Sequence, residues 1–141
     1  MLHLLDFELQ TLHDECIRRY GGMQGTAHAD AVSALIERVR NHAWYEGIDD
    51  VFLLAALYCE AIARGHVFID GNKRTAINAA YFFLDLNGID MDVPDRLDDI
   101  VIETAVGRMT RYELAEILRA HAFSGMTSAA RTVGGGSGST V

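Results

Sequence analysis

Residues 51–84 read VFLLAALYCEAIARGHVFIDGNKRTAINAAYFFL. Two apolar runs in this stretch, Val51 to Cys59 and Ala76 to Leu84, bracket the most polar segment of the chain, Arg64 to Thr75. Each run is apolar almost all round at helical spacing, which marks a helix buried on every side rather than along one stripe. Asp49 is a fitting N-cap for the first, and Asn87-Gly88 a fitting stop for the second. The two helices are therefore expected at the centre of the fold, with the polar segment as their connection.

Further out, the neighbours are helices of another kind. From about Phe7 to Tyr20, Leu9, Leu12, Cys16 and Tyr20 share one stripe, and Gly21-Gly22 ends the segment. From about Ala29 to Asn41, Val32, Leu35, Ile36 and Val39 repeat the pattern. Both fit outer helices with a single buried face. Beyond Gly88, Ile89 to Val93 runs extended toward Pro94. Two short helices follow, about Leu97 to Gly107 and Arg111 to His121, the second opened by the capping box Thr110-x-x-Glu113. The expectation is an all-α fold, a compact bundle of about six helices with the polar loop between two central ones. One domain is expected over residues 1–123. Residues 124–141, with Gly134-Gly135-Gly136-Ser137-Gly138-Ser139, cannot bury enough apolar area to offset their ordering entropy and read as a flexible Gly/Ser-rich tail.

Composition bounds the function. Of 141 residues half are hydrophobic, Pro94 is the single proline, and 12 Lys+Arg against 20 Asp+Glu leave a net charge of −8. That suits one ordinary domain with a core of its own. Counterion release drives phosphate-backbone binding only where cations gather in excess, so no nucleic-acid partner is expected. No stretch approaches the roughly 20 apolar residues of a membrane span, and no membrane association is expected. An N-terminus with Asp6 and Glu8 and no basic segment does not read as a signal peptide. The protein is expected in the cytoplasm, where Cys16 and Cys59 would be reduced, buried thiols.

The chemistry lies in the polar connection. Polar groups between central helices cost free energy unless they are paired or hold a ligand. Asp70-Gly71 permits a sharp reversal into the next helix, whose first N–H groups, from about Gly71 to Arg74, have no intrahelical acceptor. Those donors and the helix dipole favour an anion. Lys73 and Arg74 are cations where the dipole disfavours them, so an anionic ligand is expected to supply the missing charge. Asp70 has two readings: an N-cap for the N–H of Asn72 or Lys73, or the ligand of a Mg²⁺ bridging nucleotide phosphates. Asn72 can orient phosphate oxygens or the loop backbone. His66 is close enough to point over the same cavity, and an imidazole that titrates near neutrality can take the proton of an attacking hydroxyl. Val67, Phe68 and Ile69 are apolar anchors, Phe68 pinning the loop into the core. Asn78, one turn on, either faces the pocket or is ordinary polarity in a helix core. Arg64 reads as a solvated arginine of the last helical turn, with loop support or substrate contact as alternatives. His3, His13, His28 and His42 are scattered without metal spacing.

The run HVFIDGNKR, residues 66–74, resembles the signature of the Fic/Doc family, and specifically its Doc branch, toxins of toxin–antitoxin modules. Tyr20-Gly21-Gly22 after the first helix and Phe83-Leu84-x-Leu86-Asn87-Gly88 after the motif are similar too, so the resemblance extends over about residues 1–121. Fic proteins carry H-P-F-x-D/E-G-N-G-R-x-x-R and transfer AMP from ATP to a hydroxyl side chain. Here Val67 stands for the proline, Lys73 for the second glycine and Ile77 for the last arginine. Doc-type members share the Lys-Arg form, and the resemblance implies their chemistry. The nucleotide binds in a reversed sense, and its γ-phosphoryl group passes to a threonine of elongation factor Tu, arresting translation. It further implies His66 as general base, Asp70 as Mg²⁺ ligand, and Gly71, Asn72, Lys73 and Arg74 as the phosphate cradle, with ATP and Mg²⁺ as cofactors.

Two alternatives stand beside this reading. One is AMP transfer by the same loop, which Lys73 and Ile77 disfavour. The other is a non-catalytic helical binding module, against which the intact set His66, Asp70, Asn72 and Arg74 stands. Many Fic proteins carry an inhibitory S/T-x-x-x-E-G/N helix. Ser33-x-x-x-Glu37 is followed here by Arg38, and Thr11-x-x-x-Glu15 by Cys16, so neither matches. Together with the resemblance this implies a separate antitoxin whose C-terminal segment folds onto a groove of the domain.

Overall fold

The structure, a computed structural model, describes residues 1–123. It contains six α-helices: α1 Asp6–Tyr20, α2 Ala31–Glu46, α3 Val51–Gly65, α4 Asn72–Leu86, α5 Leu97–Glu103 and α6 Arg111–Ala120. Among the described residues there is no β-strand; two isolated bridges, Thr26 with Phe68 and Met91 with Ala122, tie loops together. The fold is all-α, as the apolar periodicity implies. The glycine- and serine-rich segment 124–141 lies outside the described residues.

The two apolar runs form the centre. α3 makes its most extensive contact with α4 and its next with α6. Tyr58 and Phe83 are fully buried and meet with ring centroids 5.2 Å apart, and Leu54, Ile62, Ile77 and Leu84 are buried around them. Full burial of such side chains contributes roughly 1.5–3 kcal/mol each, so this seam outweighs any helix cap in the molecule. α1 lies against α4 and brings His13, Cys16 and Ile17, all buried, beneath the α3–α4 connection. That placement positions the site. No helix among the described residues is long and apolar enough to cross a membrane, and Cys16 and Cys59 are buried, unpaired thiols.

Several boundaries differ from those read off the sequence. Asp50, not Asp49, caps α3: its carboxylate accepts the Phe52 N–H at 2.9 Å. The backbone is still extended at Asp50, φ −79° and ψ 118°, which aims a side chain there at the first-turn donors. α2 continues past Asn41 to Glu46, because nothing before Gly47 breaks it; Gly47, at φ 65°, supplies the left-handed stop. The segment expected from Leu97 to Gly107 is a seven-residue helix that loosens into a π-helical turn, Thr104–Arg108, with Gly107 at φ 125°. The capping box of Thr110 and Glu113 opens α6.

Candidate active site

Construction of the site begins where α3 ends. His66, the residue after Gly65, takes a left-handed backbone with φ 51°, and no other described non-glycine residue does so. That conformation costs a residue with a Cβ roughly 1–2 kcal/mol and persists only where the surroundings over-determine it. Here they do. Val67 and Phe68 are buried, and the Phe68 ring lies flat on His13 with centroids 3.8 Å apart and an interplanar angle of 4°. Asn72 brackets Phe68 from inside α4: its Oδ1 accepts the Phe68 N–H at 3.0 Å and its Nδ2 donates to the Phe68 carbonyl at 2.8 Å. On the other edge the Ala27 N–H donates to the Val67 carbonyl at 2.7 Å, and the Ile69 N–H to that of Gly25 at 3.0 Å.

Asp70 is fixed by the same means. Its Oδ1 accepts the Gly71 N–H at 3.0 Å and its Oδ2 the Met23 N–H at 3.1 Å. His13, fully buried, contacts the Asp70 carbonyl through Nε2 at 2.8 Å. A carbonyl only accepts, so Nε2 carries the proton. The reading of Asp70 as cap for Asn72 or Lys73 is thereby corrected. The N-cap is Gly71, at φ 78°, and no side chain caps α4. Bare hydrogens are needed around this carboxylate. A Cβ at Gly22 would stand 2.7 Å from Asp70 Oδ2, and one at Gly71 3.0 Å from Ile17 Cδ1.

A cleft of about 380 Å³ opens over the loop, lined by Ala63, His66, Ile69, Asp70, Gly71, Asn72, Lys73 and Arg74. The His66 imidazole is exposed and has no hydrogen-bond partner among the described residues, and the Lys73 ammonium is exposed without an ion pair among them. Arg74 is different. Its Nη1 donates to Asp98 Oδ2 at 2.8 Å, and its guanidinium lies 4.8 Å from the centre of the Tyr20 ring. The Tyr81 hydroxyl donates to the other Asp98 oxygen at 3.0 Å. Burial, followed by that hydrogen bond and the charge of Asp98, raises the Tyr81 hydroxyl above the ordinary phenol range, so it keeps its proton and donates. The counter-charge expected from a ligand is thus supplied to Arg74 by the protein, while Lys73 has none.

Of three further residues, Ile69 and Arg64 sit otherwise than the sequence suggests, and Asn78 takes the helix-core alternative. Asn78 donates to Cys16 Sγ at 3.0 Å, which commits its amide to the α1–α4 contact. Ile69 is exposed on the rim and anchors nothing, because Val67 and Phe68 already fill the space beneath. Arg64 is not simply solvated: Nε donates to the Ala105 carbonyl at 2.7 Å and Nη2 lies 3.6 Å from Glu60, in support of the π-helical turn and away from the cleft. Conversely, His13, Tyr20 and Asp98 belong to the site's framework. For His13 the signal was its place between Leu9 and Ile17 on the apolar stripe of α1; for Asp98 the sequence carried none. A larger cleft, about 550 Å³, lies between the N-terminal segment and the end of α2, beside His3, Arg40 and Trp44, and contains none of the loop.

No three His, Cys, Asp or Glu side chains gather as a metal site among the described residues. The Asp70 carboxylate nonetheless suits Mg²⁺, which takes one or two carboxylates and completes its shell with phosphate and water oxygens. Each Asp70 oxygen is engaged by one N–H and retains a lone pair.

The model of the Fic/DOC family matches residues 5–84, more than half of the chain. The chain belongs to the Fic/Doc family. Within it, the sequence is similar to protein kinase doc of Escherichia phage P1, 41% identical over 119 residues that cover 84% of this chain and 94% of that protein. It is also similar to toxin Doc of Mycolicibacterium smegmatis, 47% identical over 55 residues, 36% of this chain and 42% of that one. The Fic/Doc match spans α1 to most of α4 and ends before α5, so Asp98 reaches the loop from outside it.

Proposed function

We propose that this chain is a Doc-type toxin, a protein kinase that transfers the γ-phosphoryl group of ATP to a threonine hydroxyl of elongation factor Tu and so arrests translation. The observation that carries the reading is the pairing, in one cleft, of a His66 imidazole and a Lys73 ammonium that have no partner among the described residues with an Asp70 carboxylate held at both oxygens. Phosphoryl transfer calls for positioning and charge neutralisation more than covalent chemistry. His66 takes the proton of the threonine hydroxyl as its oxygen bonds the γ-phosphorus and the bond to the β-phosphate oxygen breaks, leaving ADP. Asp70 would hold Mg²⁺, which neutralises phosphate charge when bound. Lys73, the uncapped first turn of α4 and the remaining donors of Arg74 hold the phosphates, with Gly71 as the N-cap whose N–H is given to Asp70. Asn72 supports them by fixing the loop.

AMP transfer is the second reading. It is disfavoured because Ile77, at the place of the last arginine of the AMP-transferring motif, is fully buried and presents no cation to the cleft. Incubation with cytosolic extract and ATP labelled at the α or the γ phosphate separates the two: label from γ is expected, and label from α overturns the kinase reading. His66→Ala is expected to abolish both incorporation and growth arrest; arrest that persists in that variant supports a non-catalytic binding module. Neither Ser33-x-x-x-Glu37 nor Thr11-x-x-x-Glu15 completes an inhibitory motif in the sequence. Control then falls to an antitoxin acting through its C-terminal segment, and a pull-down with the neighbouring gene product tests it.

A further inference from the structure

We propose that Asp98, on α5 and outside the family-matched core, is a positioning residue for Arg74, and that Tyr81 in turn fixes Asp98. This rests on the reading that Arg74 contacts nucleotide phosphates. Arg74 stands in the first turn of α4, where the helix dipole disfavours a cation, and its long side chain has many rotamers. Two other elements, α5 and α1, nevertheless converge on it. Asp98 accepts from Nη1 at 2.8 Å, Tyr20 at the end of α1 lies beneath the guanidinium plane at 4.8 Å, and Tyr81 donates to the second Asp98 oxygen at 3.0 Å. Asp98 is thereby locked at both oxygens, and Arg74 is held on one face and at one nitrogen.

The same contacts decide between two roles for Asp98. A carboxylate beside a phosphate-binding arginine could act as a competitor for it. A guanidinium has five donors, however, and Asp98 occupies Nη1, leaving others for a phosphate. Both side chains of the pair are about a third exposed, so water screens the repulsion between Asp98 and an incoming phosphate. Orientation is less forgiving, since displacement of a catalytic group by about 1 Å can cost up to 10²-fold in rate. Positioning therefore outweighs competition. The Fic/Doc loop supplies the arginine, and α5 aims it.

The test uses the full chain with Asp98→Ala, Asp98→Asn, Tyr81→Phe and Arg74→Ala variants. Two measurements are made: calorimetric binding of a non-hydrolysable ATP analogue with Mg²⁺, and ¹⁵N relaxation of the Arg74 Nε–H in the nucleotide-free protein. Asp98→Ala is expected to weaken binding about tenfold and to make the Arg74 side chain mobile. Asp98→Asn, which retains an acceptor, is expected to restore most of both. Tyr81→Phe keeps the ring in place and is expected to show a smaller loss in the same direction, which serves if Asp98→Ala does not fold. Tighter binding in Asp98→Ala and Asp98→Asn would make Asp98 a competitor and overturn the proposal. So would unchanged affinity and an ordered Arg74 beside a lowered melting temperature, which would reduce Asp98 to a tether for α5. If Arg74→Ala binds as well as the unaltered chain, the phosphate role of Arg74 itself fails. A weak Arg74→Ala beside an unaffected Asp98→Ala overturns the positioning alone.

Discussion

His66, Asp70 and Asn72 lie within seven positions of one another, yet the fold treats them differently: the imidazole has no partner among the described residues, the carboxylate is held at both oxygens, and the amide is consumed by the backbone of Phe68. The motif itself was legible because its offsets are local, a loop and one helical turn. The full engagement of Asp70 was not, since its Oδ2 is held by the Met23 N–H from 47 residues away. Gly22 shows the dependence most sharply. Gly22→Ala is expected to cost roughly 1–2 kcal/mol for its φ of +120°. It should also displace the Asp70 carboxylate, whose Oδ2 would lie 2.7 Å from the new methyl. Loss of phosphoryl transfer with a folded, modestly less stable protein is the outcome to look for, by labelled ATP and thermal unfolding in parallel. His13→Phe retains a ring against Phe68 but removes the donor to the Asp70 carbonyl. A loss of about 1 kcal/mol in denaturant unfolding is expected, with reduced transfer.

At the scale of elements, the central pair α3 and α4 was readable because continuous apolar helical runs have one stable place, the interior. Helix ends were less so. Asp49 and Asp50 are equivalent as letters, and only the backbone angles at position 50 choose between them. The π-helical turn after α5 had no sequence marker beyond Gly107. Its support by Arg64, through the Ala105 carbonyl, joins residues 41 apart in the chain. The α3–α4 connection and α6 allow a direct comparison of magnitudes. Thr110→Ala removes an exposed cap and is expected to cost about 1 kcal/mol. Asn72→Ala orphans a donor and an acceptor on buried Phe68, at about 1–3 kcal/mol for each group left unsatisfied. Chemical denaturation of both variants should place Asn72→Ala as clearly the more destabilised.

For the whole molecule, a second polar contact inside the bundle sets a pH response apart from catalysis. His3 Nδ1 lies 2.7 Å from the Tyr58 hydroxyl. Burial pushes Tyr58 up to about 12, so the hydroxyl keeps its proton and can donate to the neutral His3 imidazole. His3 is lowered from its ordinary 6.5 by burial first, then by Arg40 and the N-terminal ammonium. The unfolded chain therefore binds this proton more readily than the folded one. The stability contributed by neutral His3 is complete above the unfolded value and is lost as pH falls from about 6.5 toward the depressed folded value. A His3→Gln chain should lose less melting temperature than the unaltered chain across that window, and an equal loss in both would refute the assignment.

The sequence by itself determined the helical class, the two central helices, and a His–Asp–Asn–Lys–Arg loop at their junction. Each of these follows from periodicity or from offsets within a turn or two of backbone. Tertiary structure alone decided that His13 holds Asp70 across 57 residues and that Asp98 holds Arg74 across 24. It also left Lys73, of the two first-turn cations, without a partner among the described residues. Those outcomes depend on how α1 and α5 lie against α4. Helix packing is driven by non-directional burial of apolar area, and the polar pattern of a single helix does not record which partner its side chains will meet.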